Sequence, residues 1–321
     1  MLVFSPDDVE RILSYPKLVE VLRASFQSDI IAPLRHHHAI ERGERAQAFM
    51  LLMPAWSDLS KNNDGYMGVK LANVFPDNVD INKPGVHASY ILMNGRTGET
   101  LAFIDGATLT TWRTAAASAL GSDYLARKDA SQMVMVGAGA MAPYLIRAHA
   151  SVRPITHVTI WNRNIDKAVT LARKLEASLP ISFSVSDDLE STVRETDIVS
   201  CATFSTQALI LGKWLKPGCH LDLVGAFTPH MRESDDECVH RADLFVDTRQ
   251  GALKEAGDIV QPIRDNVINE SDVLADLYDL TRKTHLGRTS DDAITLFKST
   301  GASLEDLSTA IYLYEHTKES D

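Results

Sequence analysis

Two sets of residues in this chain stand where they could do chemistry: glycines at the end of an apolar strand, and a few cations in apolar company. Met133-Val134-Met135-Val136 runs into Gly137-Ala138-Gly139-Ala140-Met141-Ala142, a G-x-G-x-x-A sequence. In such a turn the first glycine permits the tight bend and the second lets backbone N–H groups approach a pyrophosphate. A small third residue lets the following helix pack close to the strand. The helix start adds donors and the positive end of its dipole. Gly137, Ala138, Gly139, Ala140 and Met141 are therefore expected to cradle a dinucleotide. The group that reads the ribose lies about 20 residues further on, at the end of the next strand. That end reads Trp161-Asn162-Arg163-Asn164, with no carboxylate for a 2′-hydroxyl. Arg163 suits a 2′-phosphate and Asn162 can donate to it, which favours NADP(H), with NAD(H) as the alternative. A solvated surface arginine is the plainer reading of Arg163. Thr203 and Ser205 follow a later strand and so stand at a ligand-binding strand end, although loop hydroxyls are common for turn reasons alone.

The cations are Arg35 in Pro33-Leu34-Arg35-His36, Lys70 in Met67-Gly68-Val69-Lys70-Leu71, and Arg113 in Thr111-Trp112-Arg113-Thr114-Ala115-Ala116. Lys70 falls within an apolar strand and Arg113 within an Ala-rich helix, where an unpaired charge is costly. Either a carboxylate substrate or the protein's own acids would meet that cost, and spacing does not separate the two. His36-His37-His38 brings metal to mind. Neighbours in an extended segment point to opposite faces, however, and no second ligand cluster follows, so no metal is expected.

The elements that must position these residues fall into two patterns. Ser5-Pro6-Asp7-Asp8 reads as a helix start. From Arg45 to Phe103, short apolar runs (48–53, 66–74, 89–93 and 101–104) alternate with Asn, Asp, Gly and Pro turns, and Asn94-Gly95-Arg96-Thr97-Gly98 is a hairpin candidate; together they predict a mostly antiparallel sheet. After an Ala-rich helix over 108–127, strands at 132–136, 156–161, 181–185, 198–201, 220–224 and 244–246 alternate with helices. That rhythm predicts an α/β fold, a Rossmann-type doubly wound parallel sheet beside a second, α+β domain. A last helix over 304–316 follows a break at Gly301.

Composition sets the bounds. A length of 321 residues favours two domains, and 45% apolar with 23% charged residues is ordinary for a globular chain. A formal charge of −11 speaks against nucleic-acid or anionic-membrane partners, so an anionic ligand needs a local cluster of cations. Cys201, Cys219 and Cys238 make no C-x-x-C pair and suit a reducing compartment. With no secretory leader pattern at the start and no apolar run of bilayer length, a cytoplasmic protein is expected.

With these residues in hand, the chain resembles the ornithine cyclodeaminase and mu-crystallin family over essentially its full length. The likeness is carried by Pro33-Leu34-Arg35, Met53-Pro54-Ala55, Gly68-Val69-Lys70-Leu71, Phe75-Pro76-Asp77-Asn78, Arg113-Thr114-Ala115-Ala116, Val136-Gly137-Ala138-Gly139, Trp161-Asn162-Arg163, Phe297-Lys298-Ser299-Thr300-Gly301 and Glu305-Asp306. It implies a homodimer, a substrate-binding and dimerisation domain of residues 1–112 with 303–321, and a Rossmann domain of 113–302. It also implies that Arg35, Lys70 and Arg113 hold a substrate carboxylate, while Thr114, Thr203, Ser205 and Ser299 border the cofactor. Members that cyclise ornithine carry an Asp at the place of Phe227. An apolar ring cannot pair with a distal ammonium, and suits the methylene groups of a cyclic imine better. The expected activity is NADPH-dependent reduction of a small amino-acid-derived anion, a cyclic ketimine 2-carboxylate such as 1-pyrroline-2-carboxylate or 1-piperideine-2-carboxylate. In it Lys70 is catalytic and Phe227 lines the substrate. A cyclodeaminase, an alanine dehydrogenase and a non-catalytic NADPH-binding protein stand as alternatives on the same scaffold.

Overall fold

The computed structural model describes residues 1–61, 64–81 and 83–318. The chain divides into two compact units, residues 1–114 with the stretch from Ala302, and residues 115–301. No helix among the described residues is long and apolar enough to cross a membrane.

The first unit runs β1 (Leu2–Phe4), α1 (Pro6–Ile12), α2 (Tyr15–Gln27), β2 (Ile30–Ile31), β3 (His36–Ile40), β4 (Ala48–Ser57), β5 (Tyr66–Val74), β6 (Val86–Asn94), β7 (Thr100–Asp105) and the start of α3 (Gly106–Leu125). α1 starts where its cap predicts: the Ser5 hydroxyl accepts from the Asp8 N–H and the Asp8 carboxylate accepts from the Ser5 N–H. β1 precedes it and was missed, because three residues carry no readable period. Among the described residues the strands form one sheet in the order β1-β7-β6-β5-β4-β2, with β3 on β4, and only β1 runs parallel to its neighbour. The β6–β7 hairpin turns on Asn94, whose side chain accepts from the N–H groups of Arg96 and Thr97, and on Gly98 at φ +74°.

Cross-strand register sorts this sheet into two faces. Met53, Lys70, Tyr90 and Ile104 stand side by side on the buried face. Pro54, Val69, Ile91, Phe103 and Val3 make the corresponding row on the other face, half-buried through the middle and exposed at Phe103 and Val3. An apolar row on both faces is more than one layer of helices requires.

The second unit alternates strands and helices: β8 (Gln132–Val136), α4 (Ala142–Val152), β9 (His157–Trp161), α5 (Ile165–Glu176), β10 (Ser182–Ser186), α6 (Leu189–Glu195), β11 (Ile198–Cys201), β12 (His220–Leu223), α7 (Asp236–Arg241), β13 (Asp243–Val246), α8 (Arg249–Glu255), α9 (Gly257–Arg264), β14 (Val273–Asp276), α10 (Leu277–Thr281) and β15 (Thr295–Lys298). All pairs are parallel, in the order β10-β9-β8-β11-β12-β15-β13-β14, which is a Rossmann-type doubly wound sheet. In register, Val136 lies beside Cys201, Cys201 beside Leu223, and Leu223 beside Lys298, so the carboxyl ends of β8, β11, β12 and β15 end level with one another. The final helix, α11 (Ser303–Lys318), packs against α2 and the buried face of β4, β5 and β6 in the first unit.

Candidate active site

In the first unit the buried cations meet buried acids. Lys70 and Arg113 are 2% and 4% exposed, and Glu305 and Asp306, in the first turn of α11, are fully buried. Lys70 Nζ donates to Asp306 Oδ1 at 2.9 Å, Arg113 Nε to the same oxygen at 3.0 Å, and Arg113 Nη1 to Glu305 Oε2 at 2.8 Å. The puzzle of two cations in apolar elements is thus answered within the fold by acids of α11. Half-buried Arg35, between β2 and β3, is close enough to act on the charge of Lys70. Burial pulls the Lys70 ammonium down to about 7; Arg113 and Arg35 press the same way and Asp306 opposes them. An amine that exchanges its proton near neutrality is suited to proton transfer. Gly68 makes room beside it: a Cβ there would lie 2.3 Å from the Tyr90 hydroxyl, which is buried with no hydrogen-bond partner among the described residues. Thr114 is half-buried, one residue past Arg113.

In the second unit the glycine turn has the shape its sequence predicts. Gly137 holds φ +109°, and a Cβ on it would come within 2.8 Å of the Ala202 carbonyl. Gly139 opens onto free space, with nothing within 4 Å of an added Cβ. A pyrophosphate can therefore approach the backbone of residues 137–141, where α4 begins with no acidic side chain in its first turn. The buried Ser299 hydroxyl, just past β15, has no hydrogen-bond partner among the described residues, which also fits a bound group. Asn162 has a role that its position alone did not indicate: its Oδ1 accepts from the Ala138 N–H at 3.1 Å and its Nδ2 donates to the Asn164 carbonyl, so it braces the glycine turn. Arg163 stands exposed beyond β9, paired with no acid among the described residues. Ser205 donates its hydroxyl to the Gln207 carbonyl, and half-buried Phe227 meets Phe204 edge to face at 6.1 Å. His36, His37 and His38 lie exposed along β3.

The sequence reading gave no role to Glu305 or Asp306 as partners of Lys70 and Arg113, gave none to Lys298 beyond its place in the family likeness, and passed over Glu233 and Asp258 altogether. A signal for Lys298 was present: it ends the short run Thr295-Leu296-Phe297-Lys298, the same oddity that singled out Lys70.

A glycine turn that opens a parallel doubly wound sheet, together with a unit that gathers buried cations, fits a nicotinamide dinucleotide oxidoreductase. The chain belongs to the ornithine cyclodeaminase/mu-crystallin family, whose model matches residues 5–321. The Delta(1)-pyrroline-2-carboxylate reductase of Colwellia psychrerythraea is 35% identical over 311 residues, covering 96% of this chain and 96% of the relative. The structure of the Thermococcus litoralis Delta(1)-pyrroline-2-carboxylate reductase in complex with NADH and L-proline has a TM-score of 0.93 at 31% identity, covering 100% of this chain and 98% of that one. An archaeal alanine dehydrogenase dimer with bound NAD has a TM-score of 0.89 at 29% identity, covering 100% and 97%. The protein is an NAD(P)H-dependent imine reductase.

Proposed function

We propose that the enzyme reduces a cyclic ketimine 2-carboxylate, 1-pyrroline-2-carboxylate to proline and 1-piperideine-2-carboxylate to pipecolate, with NADPH preferred over NADH. The substrate class is carried by the likeness to relatives named as Delta(1)-pyrroline-2-carboxylate reductases; within the fold, Glu305 and Asp306 meet the charge of Lys70 and Arg113 and hold the two together, with Arg35 within electrostatic reach of Lys70. Arg35 and Arg113 bind the carboxylate, Arg113 being held in place by Glu305 and Asp306, and so fix the orientation of C2; this is positioning catalysis. A bound nicotinamide supplies the hydride that C2 accepts. Lys70, directly or through a water it orients, keeps the ring nitrogen protonated, since an iminium is the better hydride acceptor. Phe227 offers the imine methylene groups an apolar neighbour and gives a distal ammonium no partner. Arg163, exposed and unpaired with any described acid, is available to a 2′-phosphate.

The first unit is proposed as the substrate-binding and dimerisation domain. Its half-exposed apolar row fits a homodimer, and the archaeal relative's description as a dimer agrees. The three cysteines are free and buried, consistent with a reducing cytoplasm.

The test compares wild type and Arg163→Ala in oxidising NADPH and NADH with the two cyclic imines, beside ammonia release from ornithine and lysine. The expected pattern is imine-dependent oxidation with little ammonia, and an Arg163→Ala loss of tenfold or more confined to NADPH. Ammonia release without imine turnover would overturn the substrate; equal losses with both cofactors would overturn the role of Arg163.

A further inference from the structure

We propose that Glu233 is a positioning residue for the cofactor end of the parallel sheet: its carboxylate ties the loop after β11 to the loop after β12, and so sets the places of Thr203 and Phe227. The inference rests on the reading above in taking those two loops to border the nicotinamide.

Glu233 is fully buried. Its Oε1 accepts from the Thr203 N–H at 2.7 Å and the Thr203 hydroxyl at 2.8 Å, and its Oε2 accepts from the N–H groups of Gly225 at 2.7 Å and Ala226 at 3.3 Å. One side chain thus satisfies both loops, each with one carboxylate oxygen. Its main chain binds the first loop again, because the Glu233 carbonyl accepts from Leu209 and Ile210, and Arg232 N–H donates to the Ser205 carbonyl. The loops meet at backbone distance: a Cβ on Gly225 would fall 2.0 Å from the Thr203 carbonyl oxygen and 2.5 Å from Glu233 Oε1. The glycine turn closes on the same segment through Gly137 and Ala202.

Behind Glu233 stands a second buried acid. Asp258, on α9, accepts from the N–H groups of Glu233 and Ser234 at 2.8 and 2.9 Å and from the Ser234 hydroxyl at 3.0 Å. Lys298, at the end of β15, brings its ammonium to 3.6 Å from the other Asp258 oxygen, too far for a hydrogen bond. Burial pushes the Glu233 carboxyl up, and Lys298 and the Thr203 hydrogen bonds draw it back. Stability alone does not call for this arrangement, since apolar residues of similar volume often replace buried charges without loss. A carboxylate offers what they cannot, two directional acceptors that hold separate backbones in register.

Glu233→Gln tests this while keeping the shape. The amide accepts on one side only and turns an NH2 toward donors on the other, so the loops part. The dissociation constant for NADPH, read from tryptophan-to-nicotinamide energy transfer without substrate, is expected to rise at least fivefold, and kcat with the imine to fall at least tenfold, in a protein that still melts cooperatively. A folded variant with a lower Tm but wild-type binding and kcat would reduce Glu233 to structural filling and overturn the proposal. Should Glu233→Gln not fold, Asp258→Asn is judged by the same criteria, with smaller shifts in the same directions expected and wild-type values overturning it. The binding arm needs no imine, so an error about the substrate would leave it readable.

Discussion

Lys70 sits in the middle of an apolar strand, with Met53 and Tyr90 as cross-strand neighbours and Asp306 as its hydrogen-bond partner. Burial brings its ammonium down to about 7, so the protonated form that the proposed proton donation requires is present below that pH and lost above it. The expected outcome is a kcat/KM for the imine that falls about tenfold per pH unit above 7 in wild type. In Lys70→Arg, whose guanidinium does not titrate there, the fall is absent and activity is lower throughout. A wild-type profile flat from pH 6 to 9 would remove Lys70 from proton transfer. That the residue matters was legible in the sequence, because an ammonium in an apolar strand demands a partner. Which partner it takes was not, because Asp306 lies 236 positions away and no local spacing connects the two.

The glycine motif and the alternation after it made β8 to β13 readable, whereas β14 and β15 escaped. β15 is fully buried between β12 and β13, yet half of it is Thr295 and Lys298. A central strand of a parallel sheet covered on both faces ordinarily reads as a continuous apolar run. β12 breaks that expectation too: His220 and Asp222 point into the protein and bind side chains rather than solvent. His220 Nδ1 pairs with Thr295 Oγ1 at 2.9 Å, and Asp222 Oδ2 takes His149 Nε2 at 3.0 Å and the Ser200 hydroxyl at 2.7 Å. Burial pulls His220 down to about 3 from its ordinary 6.5. Between those values the unfolded chain binds a proton that the folded chain refuses, so stability is full above 6.5 and declines as pH falls toward 3. In His220→Asn that contribution disappears, and the stability lost between pH 6.5 and 5 should be smaller than in wild type by about 2 kcal/mol. Urea midpoints at the two pH values measure it, and an identical pH dependence in both proteins would refute the assignment.

For the molecule as a whole, the open question posed by the fold is the second apolar face of the first unit's sheet. α11, with α2 packed against it, covers one face, which accounts for the burial of Met53 and Tyr90. Nothing in a single unit's need for a core explains Pro54, Val69, Ile91, Phe103 and Val3 standing in register on the other, with Phe103 38% and Val3 71% exposed. Alternation of apolar and polar residues is what a solvated face would have produced, and its absence was visible in Met67-Gly68-Val69-Lys70-Leu71, where the only charge points to the buried face. A second copy presenting the same row satisfies both, since a two-fold axis pairs a surface with itself. Wild type is therefore expected at twice the chain mass of 35.4 kDa in light scattering. Ile91→Glu, which places a charge at the centre of the row, should shift the protein toward the single-chain mass, because a carboxylate desolvated without a partner costs several kcal/mol. The glycine turn and the Glu233 contacts all lie in the other unit. NADPH affinity measured on the monomeric variant should accordingly stay within about twofold of wild type, on the ordinary expectation that changes without shared partners add. A variant that keeps the dimer mass would show that this face is not what joins the subunits.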